Sequence, residues 1–512
     1  MATRRSRLRE ALVSQARTLK TVFIPPPIGG WNSRDPRMMI ADNEATVLRN
    51  YTPYSNSIRS CRQLTNGVDL TGTESPKGLH NWQTAAFAER VIATTDTKIW
   101  SITSGWAATD ITGAVAMTNG ATSGISFNGY LFLCNGTNPV CRVDTALATS
   151  AAAFVGPGGV DTTLNQVWSY KGRLYFIEKA STSFWYGELL FVTGTLTEID
   201  EATILDKNSN LLFGATWTVN NGASYEEYCV LVSAFGEVLV YSGDYPGAPN
   251  WYLTARTRIP TPLGRRAFTK LGGDILIYTK IGIVKLSDIV STASAETSFY
   301  TISNKISRTF QNPNNLPSDP DRALMAVETD LPFVHVLTYS FGIYSFNYET
   351  GAWFEQYLSI VPDCIVYAFG LLLLGNSGGI EIRYLKASGV GASGAPSRSW
   401  STGWMDFGSR NIKKLAAVRL LSASTSDGTT DDTTYQISVG RDFRSDSSNN
   451  SHESKIVTSD HSSQDVVYSE FRPGIMGTWL SFGITTADGA MDEIYGLEVQ
   501  YEEGGVYGSN IS

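Results

Sequence analysis

Tyr170-Lys171-Gly172-Arg173-Leu174-Tyr175-Phe176 is an aromatic residue, a Gly-centred turn and then an almost wholly apolar run. The glycine permits the positive φ that a tight hairpin turn needs, and the run after it has the composition of a strand covered on both faces. The same arrangement returns at Phe127-Asn128-Gly129-Tyr130-Leu131-Phe132, Leu271-Gly272-Gly273-Asp274-Ile275-Leu276 and Ala368-Phe369-Gly370-Leu371-Leu372-Leu373. Gly129 and Gly172 lie 43 residues apart, Gly172 and Gly273 101, and Gly273 and Gly370 97. The last two intervals are nearly twice a unit of about 50 residues, so each should hold a degenerate copy. Residues 230–233 with 237–241, and 334–337 with 342–346, have the composition to supply it. Residues 348–353 read as a blade-closing turn. With 91–93 and 98–100 added, the pattern predicts an all-β chain whose residues 79–390 form a β-propeller of six or seven irregular blades. A pair of β-sandwiches would show the same alternation without the period.

Outward from this region the pattern changes. Leu8, Ala11, Leu12, Ala16 and Leu19 recur at spacings of three and four, which predicts a short helix within a basic N-terminal arm, residues 1–27. Pro25-Pro26-Pro27 ends any helix there, and Gly29-Gly30 opens an extended segment, residues 28–78, leading into the propeller. Residues 391–399 read as a Gly, Ala and Ser-rich linker. Gly389-Val390-Gly391-Ala392-Ser393-Gly394 matches a dinucleotide-binding glycine pattern, but Pro396 follows where a helix would have to open. Residues 400–512 alternate as short strands and predict a C-terminal β-sandwich, with a polar loop at 444–452 and an acidic, solvated turn at 427–432.

Charge and chemistry narrow the function. The 512 residues carry a net charge of −8, yet Arg4, Arg5, Arg7, Arg9, Arg17 and Lys20 against Glu10 give the first twenty residues +5, leaving the rest at −13. A body of that sign is unsuited to gripping phosphates, whose affinity comes from Lys and Arg. The five cysteines and four histidines show no metal-ligand spacing, so ordinary buried thiols and no metal or other cofactor are expected. No run of 18 apolar residues predicts a membrane span. There is no nucleophile elbow, phosphate-binding loop or zincin helix, and no enzyme is expected. A propeller hydrolase or depolymerase acting on surface polysaccharide, its carboxylates contributed by different blades, is the alternative. Arg256, Arg258, Arg265, Arg266 and Arg308 would be its substrate arginines, and surface charge is their plainer reading. A receptor-binding or interaction propeller is a third reading.

One stretch carries a family signature. Gly29-Gly30-Trp31-Asn32-Ser33-Arg34-Asp35-Pro36, Asp42-Asn43-Glu44-Ala45 and Leu48-Arg49-Asn50-Tyr51-Thr52-Pro53, with Arg59, Arg62 and Gly67 downstream, resemble the N-terminal signature of short-tailed bacteriophage tail proteins. These are the tail nozzle, or tail tubular protein B, family and the related proteins that stabilise packaged DNA. The resemblance singles out Gly29, Gly30, Asn32, Arg34, Asp35, Pro36, Asn50, Tyr51 and Pro53. It implies a virion structural protein assembled in the host cytoplasm, a homo-hexameric ring below a tail adaptor ring. Such a ring forms the distal tube and closure for genome ejection, with double-stranded DNA passing transiently through its lumen. Tail fibres or spikes are the other implied partners, and a fibre-attaching hub is the variant role. Arg4, Arg5, Leu8, Leu12 and Leu19 would form the arm that docks on the adaptor. The same residues also have a plain physical reading, with the prolines fixing extended backbone and Arg34 pairing with Asp35 or Asp42.

Overall fold

In a computed structural model of the full chain, residues 19–504 are described apart from 71–73, 207–208, 221, 223, 292–300, 339–341, 377–380, 387–396, 425–432, 444–451, 460–465 and 487–491. The chain divides into two units that interleave along the sequence: residues 1–63, 350–356 and 387–512 form one, and residues 64–349 and 357–386 the other.

The second unit contains five four-stranded antiparallel sheets in a β-propeller arrangement. Four of them are consecutive in the chain, beginning at Gly78–Gln83, Ser123–Phe127, Leu164–Tyr170 and Leu211–Asn220. The fifth is built from Pro362–Ala368, Leu371–Asn376 and Glu381–Lys386, and Gln63–Asp69 from far upstream supplies its fourth strand. A three-stranded sheet, Phe268–Leu271, Asp274–Thr279 and Gly282–Lys285, and the paired strands Met325–Val327, Phe333–Leu337 and Gly342–Asn347 lie between. The Gly-centred turns sit where expected. Tyr170 pairs with Arg173, Phe127 with Tyr130 and Ala368 with Leu371, each across a two-residue turn. The strands that follow are buried on both faces: Leu174 to Ile177, Leu131 to Cys134 and Leu372 to Leu374 are all closed to solvent. Neighbouring sheets share core side chains, as where the rings of Phe132, Phe154 and Phe176 pack in turn at tilted angles.

The first unit has two sheets. One runs Tyr51–Pro53, Ile58–Ser60, Asp492–Glu503, Lys413–Ser424, Val467–Phe471, with Leu19–Ile24 also on Asp492–Glu503 and Met476–Gly477 on Lys413–Ser424. The other runs Val47–Arg49, Arg398–Ser401, Leu480–Thr486, Thr433–Arg441, His452–Ser459, with residues 352–356 parallel to Val47–Arg49. Their strands alternate between buried and half-exposed positions, Leu480–Thr486 perfectly so, as strands covered on one face do. The Phe407 ring stacks on Phe482 of one sheet and Tyr501 of the other.

Several expectations change. Leu19 opens a strand, Leu19–Ile24, in register with residues of Asp492–Glu503, rather than closing a helix; Thr21, Val22 and Ile24 are β-branched and favour the extended form. Arg4, Arg5, Leu8 and Leu12 lie outside the described residues, as do the acidic turn, the 389–394 glycine pattern and most of the polar loop. Residues 28–78 do not lead undivided into the propeller but are split between the units at Gln63. Of the expected linker 391–399, Arg398 and Ser399 already belong to a strand, because Arg398 pairs with Thr486 and Ser399 with both Thr485 and Arg49. All five cysteines are free and buried. Among the described residues no helix is long and apolar enough to cross a membrane.

Candidate functional site

The first half of the signature, from Gly29, folds into a knot of the first unit. After the three prolines the chain turns back on itself, with Gly30 N donating to Pro27 O at 3.0 Å and Gly29 N to Asn43 O at 2.8 Å. Gly30 has φ +82°, and a Cβ there would lie 2.5 Å from the Trp353 nitrogen. Only glycine combines that conformation with that approach. Trp31 N then donates to Trp353 O at 2.7 Å, and Trp353 is fully buried. Asn32, 3% exposed, uses its whole amide: Oδ1 accepts from the backbone of Arg34 and Asp35, and Nδ2 donates to Glu44 at 2.7 Å and Asp35 at 3.0 Å. Arg34 grips Asp35 with both prongs of its guanidinium, each at 2.8 Å. Pro36 O accepts from Met39 N and ends the knot.

We expect Gly30→Ala to destabilise the first unit by about 3 kcal/mol or more, the sum of left-handed strain and displaced backbone. Thermal unfolding of the full chain measures it, and a melting temperature equal to that of the parent would refute this account of the glycine.

The second half of the signature holds a buried carboxylate. Asn50, at φ +58°, donates its side-chain amide to Ser397 O at 2.7 Å and its backbone NH to Glu355 O. Tyr51–Pro53 and Ile58–Ser60 form a hairpin on Asp492–Glu503. Within it the Tyr51 hydroxyl donates to Asp492 at 3.1 Å, the Tyr435 hydroxyl does so at 2.8 Å, and Ser60 Oγ also donates. Arg398 Nη1 lies 3.4 Å from the same carboxylate, and Asp492 is wholly buried. Burial, and then the Asp492 charge, hold the Tyr435 phenol well above its ordinary range, so it stays a donor. Arg59 pairs with Glu493 at 3.1 Å and lies over the Tyr54 ring. The signature is thus a set of structural requirements that assembles distant chain. Asp492, Arg398 and Tyr435, which carry no local sequence signal, complete it with Trp353, which lies in the turn expected to close a blade; residues 350–356 belong to the first unit instead.

In the propeller unit the arginines read as surface charge divide. Arg308 is exposed, and Arg256 and Arg258 pair with Glu237. Arg265 and Arg266 are instead 8% and 9% exposed. Arg265 donates to the carbonyls of Asn165 and Ala121 and pairs with Asp321 at 3.0 Å. Arg266 donates to the carbonyls of Lys77, Thr122 and Asp321. Lys77 and Thr122 immediately precede the first strands of two sheets, and Asn165 lies in the first strand of a third. The two guanidinium groups therefore staple together the places where first strands begin. Burial and the adjacent Arg265 lower the Arg266 pKa to about 10, and burial with the Arg266 charge pushes neighbouring His80 down to about 3.

Ser345, His335 and Glu328 form a hydroxyl, imidazole, carboxylate row, with Nδ1 2.9 Å from Ser345 Oγ and Nε2 3.0 Å from Glu328. The order matches that of a hydrolytic triad. All three are at most 1% exposed, so the row serves as an internal tie between strands rather than presenting a nucleophile.

No family model and no curated protein matches the chain. Solved structures with distant likeness include virginiamycin B lyase from Staphylococcus aureus, at 11% identity and TM-score 0.41, covering 64% of this chain and 99% of that one. Another is the extracellular domain of the hybrid two component system BT3049 from B. thetaiotaomicron, at 10% identity and TM-score 0.44, covering 85% and 62%. BamB from Moraxella catarrhalis matches at 8% identity and TM-score 0.35, covering 73% and 100%. At that distance none of their activities transfers to this chain.

Proposed function

We propose that this chain is a non-enzymatic structural protein of a short-tailed bacteriophage tail, of the nozzle or tail tubular B kind, acting as a ring-shaped conduit for the genome. The observation that carries the reading is the signature knot. The resembling residues build that knot and, beside the buried Asp492 carboxylate, a hairpin, and in them Gly30, Asn32 and Asn50 each meet a requirement that few other residue types could meet.

In this reading the three-stranded sheet and the Met325–Asn347 strands also serve as blades, for seven in all. Contacts between the early strands of successive sheets, returning from Pro362–Ala368 to Gly78–Gln83, support that count. The two sheets of the first unit are read as a β-sandwich, supported by their alternating burial and the bridging Phe407 ring. DNA would run between copies and not along a propeller axis, where Arg265 and Arg266 already staple the strand starts. A lumen of net acidic or neutral character suits a tube that must release a polyanion, while the basic arm of Arg4, Arg5, Leu8 and Leu12 would lie against the adaptor.

Quantitative peptide mass spectrometry of purified virions tests the proposal. The chain should be present at half the copy number of the portal protein, as a six-fold ring on a twelve-fold collar would be. Its absence from virions, or a copy number far above the portal's, would overturn the conduit reading.

A further inference from the structure

The first two four-stranded sheets of the propeller unit enclose a cleft of 880 Å³ between their hairpin turns, within the range of small-molecule sites. On one side is the turn joining Gly78–Gln83 to Glu89–Thr94, and on the other the Asn128-Gly129 turn joining Ser123–Phe127 to Tyr130–Cys134. We infer that this cleft is a binding site for a neutral saccharide. The inference stands on the cleft alone and does not depend on the conduit reading.

Three properties of the lining select that ligand. The first is aromatic. Phe87 is 80% exposed and holds φ +56°, so a large apolar ring is kept in water in a backbone conformation that disfavours it. Phe127 and the largely buried Trp82 also line the cleft. Apolar ring faces of this kind match the C–H face of a pyranose.

The second property is a set of anchored side-chain amides. Asn81 Nδ2 donates to Glu89 at 2.8 Å, Gln83 Nε2 to Phe87 O at 3.2 Å and Asn128 Nδ2 to Leu190 O at 2.9 Å. Each amide is anchored through one N–H of its nitrogen, which fixes the direction of its carbonyl oxygen and of its second N–H. Glu89 is itself held by Phe369 N at 3.1 Å. Oriented amides, together with the hydroxyls of Thr84, Ser126 and Thr145 in the lining, offer both acceptors and donors to a ligand rich in hydroxyl groups, and positions held in advance cost little ordering on binding.

The third is charge. Among the described residues no lysine or arginine lines the cleft, which removes the usual means of holding a phosphate, sulfate or carboxylate ligand. Glu89 is its single carboxylate. Glycoside hydrolysis uses a pair, so the cleft holds its sugar without cleaving it.

The test applies the fluorescently labelled full chain to an array of neutral and acidic bacterial surface oligosaccharides. Titration calorimetry with the best-retained glycan then compares the parent with Phe87→Ala, Gln83→Ala and, as an exposed aromatic outside the cleft, Phe235→Ala. We expect retention of neutral glycans, a loss of about tenfold in affinity for Phe87→Ala, a smaller loss for Gln83→Ala and none for Phe235→Ala. All three variants should melt with the parent, since the replaced side chains are exposed. Retention of acidic glycans only, or of none, would overturn the assignment. So would equal affinity of Phe87→Ala and the parent, or capture of displayed peptides in place of glycans. Chromatography of the recovered oligosaccharide should show it intact, and shortened products would overturn the non-hydrolytic part.

Discussion

Arg398→Leu is expected to destabilise the first unit by about 3–5 kcal/mol, the scale for removing one partner of a buried ion pair. Asp492 has no exposure to solvent, and Arg398, itself 3% exposed, is the cation beside it. Leucine leaves a carboxylate held by Tyr51, Tyr435 and Ser60 hydroxyls alone. Those donors orient the charge but do not neutralise it. The double variant Arg398→Leu/Asp492→Asn removes the orphaned charge and should recover part of the loss, which a double-mutant cycle reads as coupling. Chemical denaturation of the four proteins measures it. If Arg398→Leu unfolds with the parent, or the double variant is less stable than additivity allows, the buried pair is not what holds the hairpin to Asp492–Glu503.

Arg266→Ala should cost the propeller unit about 3 kcal/mol, since three backbone carbonyls lose a charged donor and each orphaned group costs roughly 1–3 kcal/mol. The upper end is not expected, because the change also relieves repulsion from Arg265, the same repulsion that helps lower the Arg266 pKa. Arg266→Lys keeps the charge but cannot span the carbonyls of Lys77, Thr122 and Asp321 at once, and should fall between. Arg308→Ala, at an exposed position, should stay within about 0.5 kcal/mol of the parent. Denaturant midpoints decide it, and equal midpoints for Arg266→Ala and Arg308→Ala would remove the staple.

What could be read from the chain was local. Asn128-Gly129, Lys171-Gly172 and Phe369-Gly370 all adopt positive φ at both turn positions, the mirror-image turn that two-residue hairpins require. The glycine and the apolar run after it advertise that geometry within seven residues, so the strands of the propeller unit were legible. The partners of the signature were not. Tyr51 meets Asp492 across 441 residues, and Gly30 meets Trp353; nothing in the composition of either segment names its counterpart. Arg265 and Arg266 looked like surface cations because sequence does not show where backbone carbonyls converge. Leu19 fell into a helical spacing by the accident of Leu8, Leu12 and Ala16, while pairing with Asp492–Glu503 decided its conformation.

The interleaving of the two units also has a temporal side. Ser60 finds its partner Asp492 only after 432 further residues have been made, which at about 5–20 residues per second takes roughly 20–90 s on the ribosome. Throughout that interval the hairpin of Tyr51–Pro53 and Ile58–Ser60 has unpaired edges and no core to cover them. The strand Gln63–Asp69 waits almost as long for Glu381–Lys386. Synthesis therefore supplies the last strand of the propeller unit, Glu381–Lys386, before Asp492–Glu503, the strand on which the early hairpin of the first unit pairs.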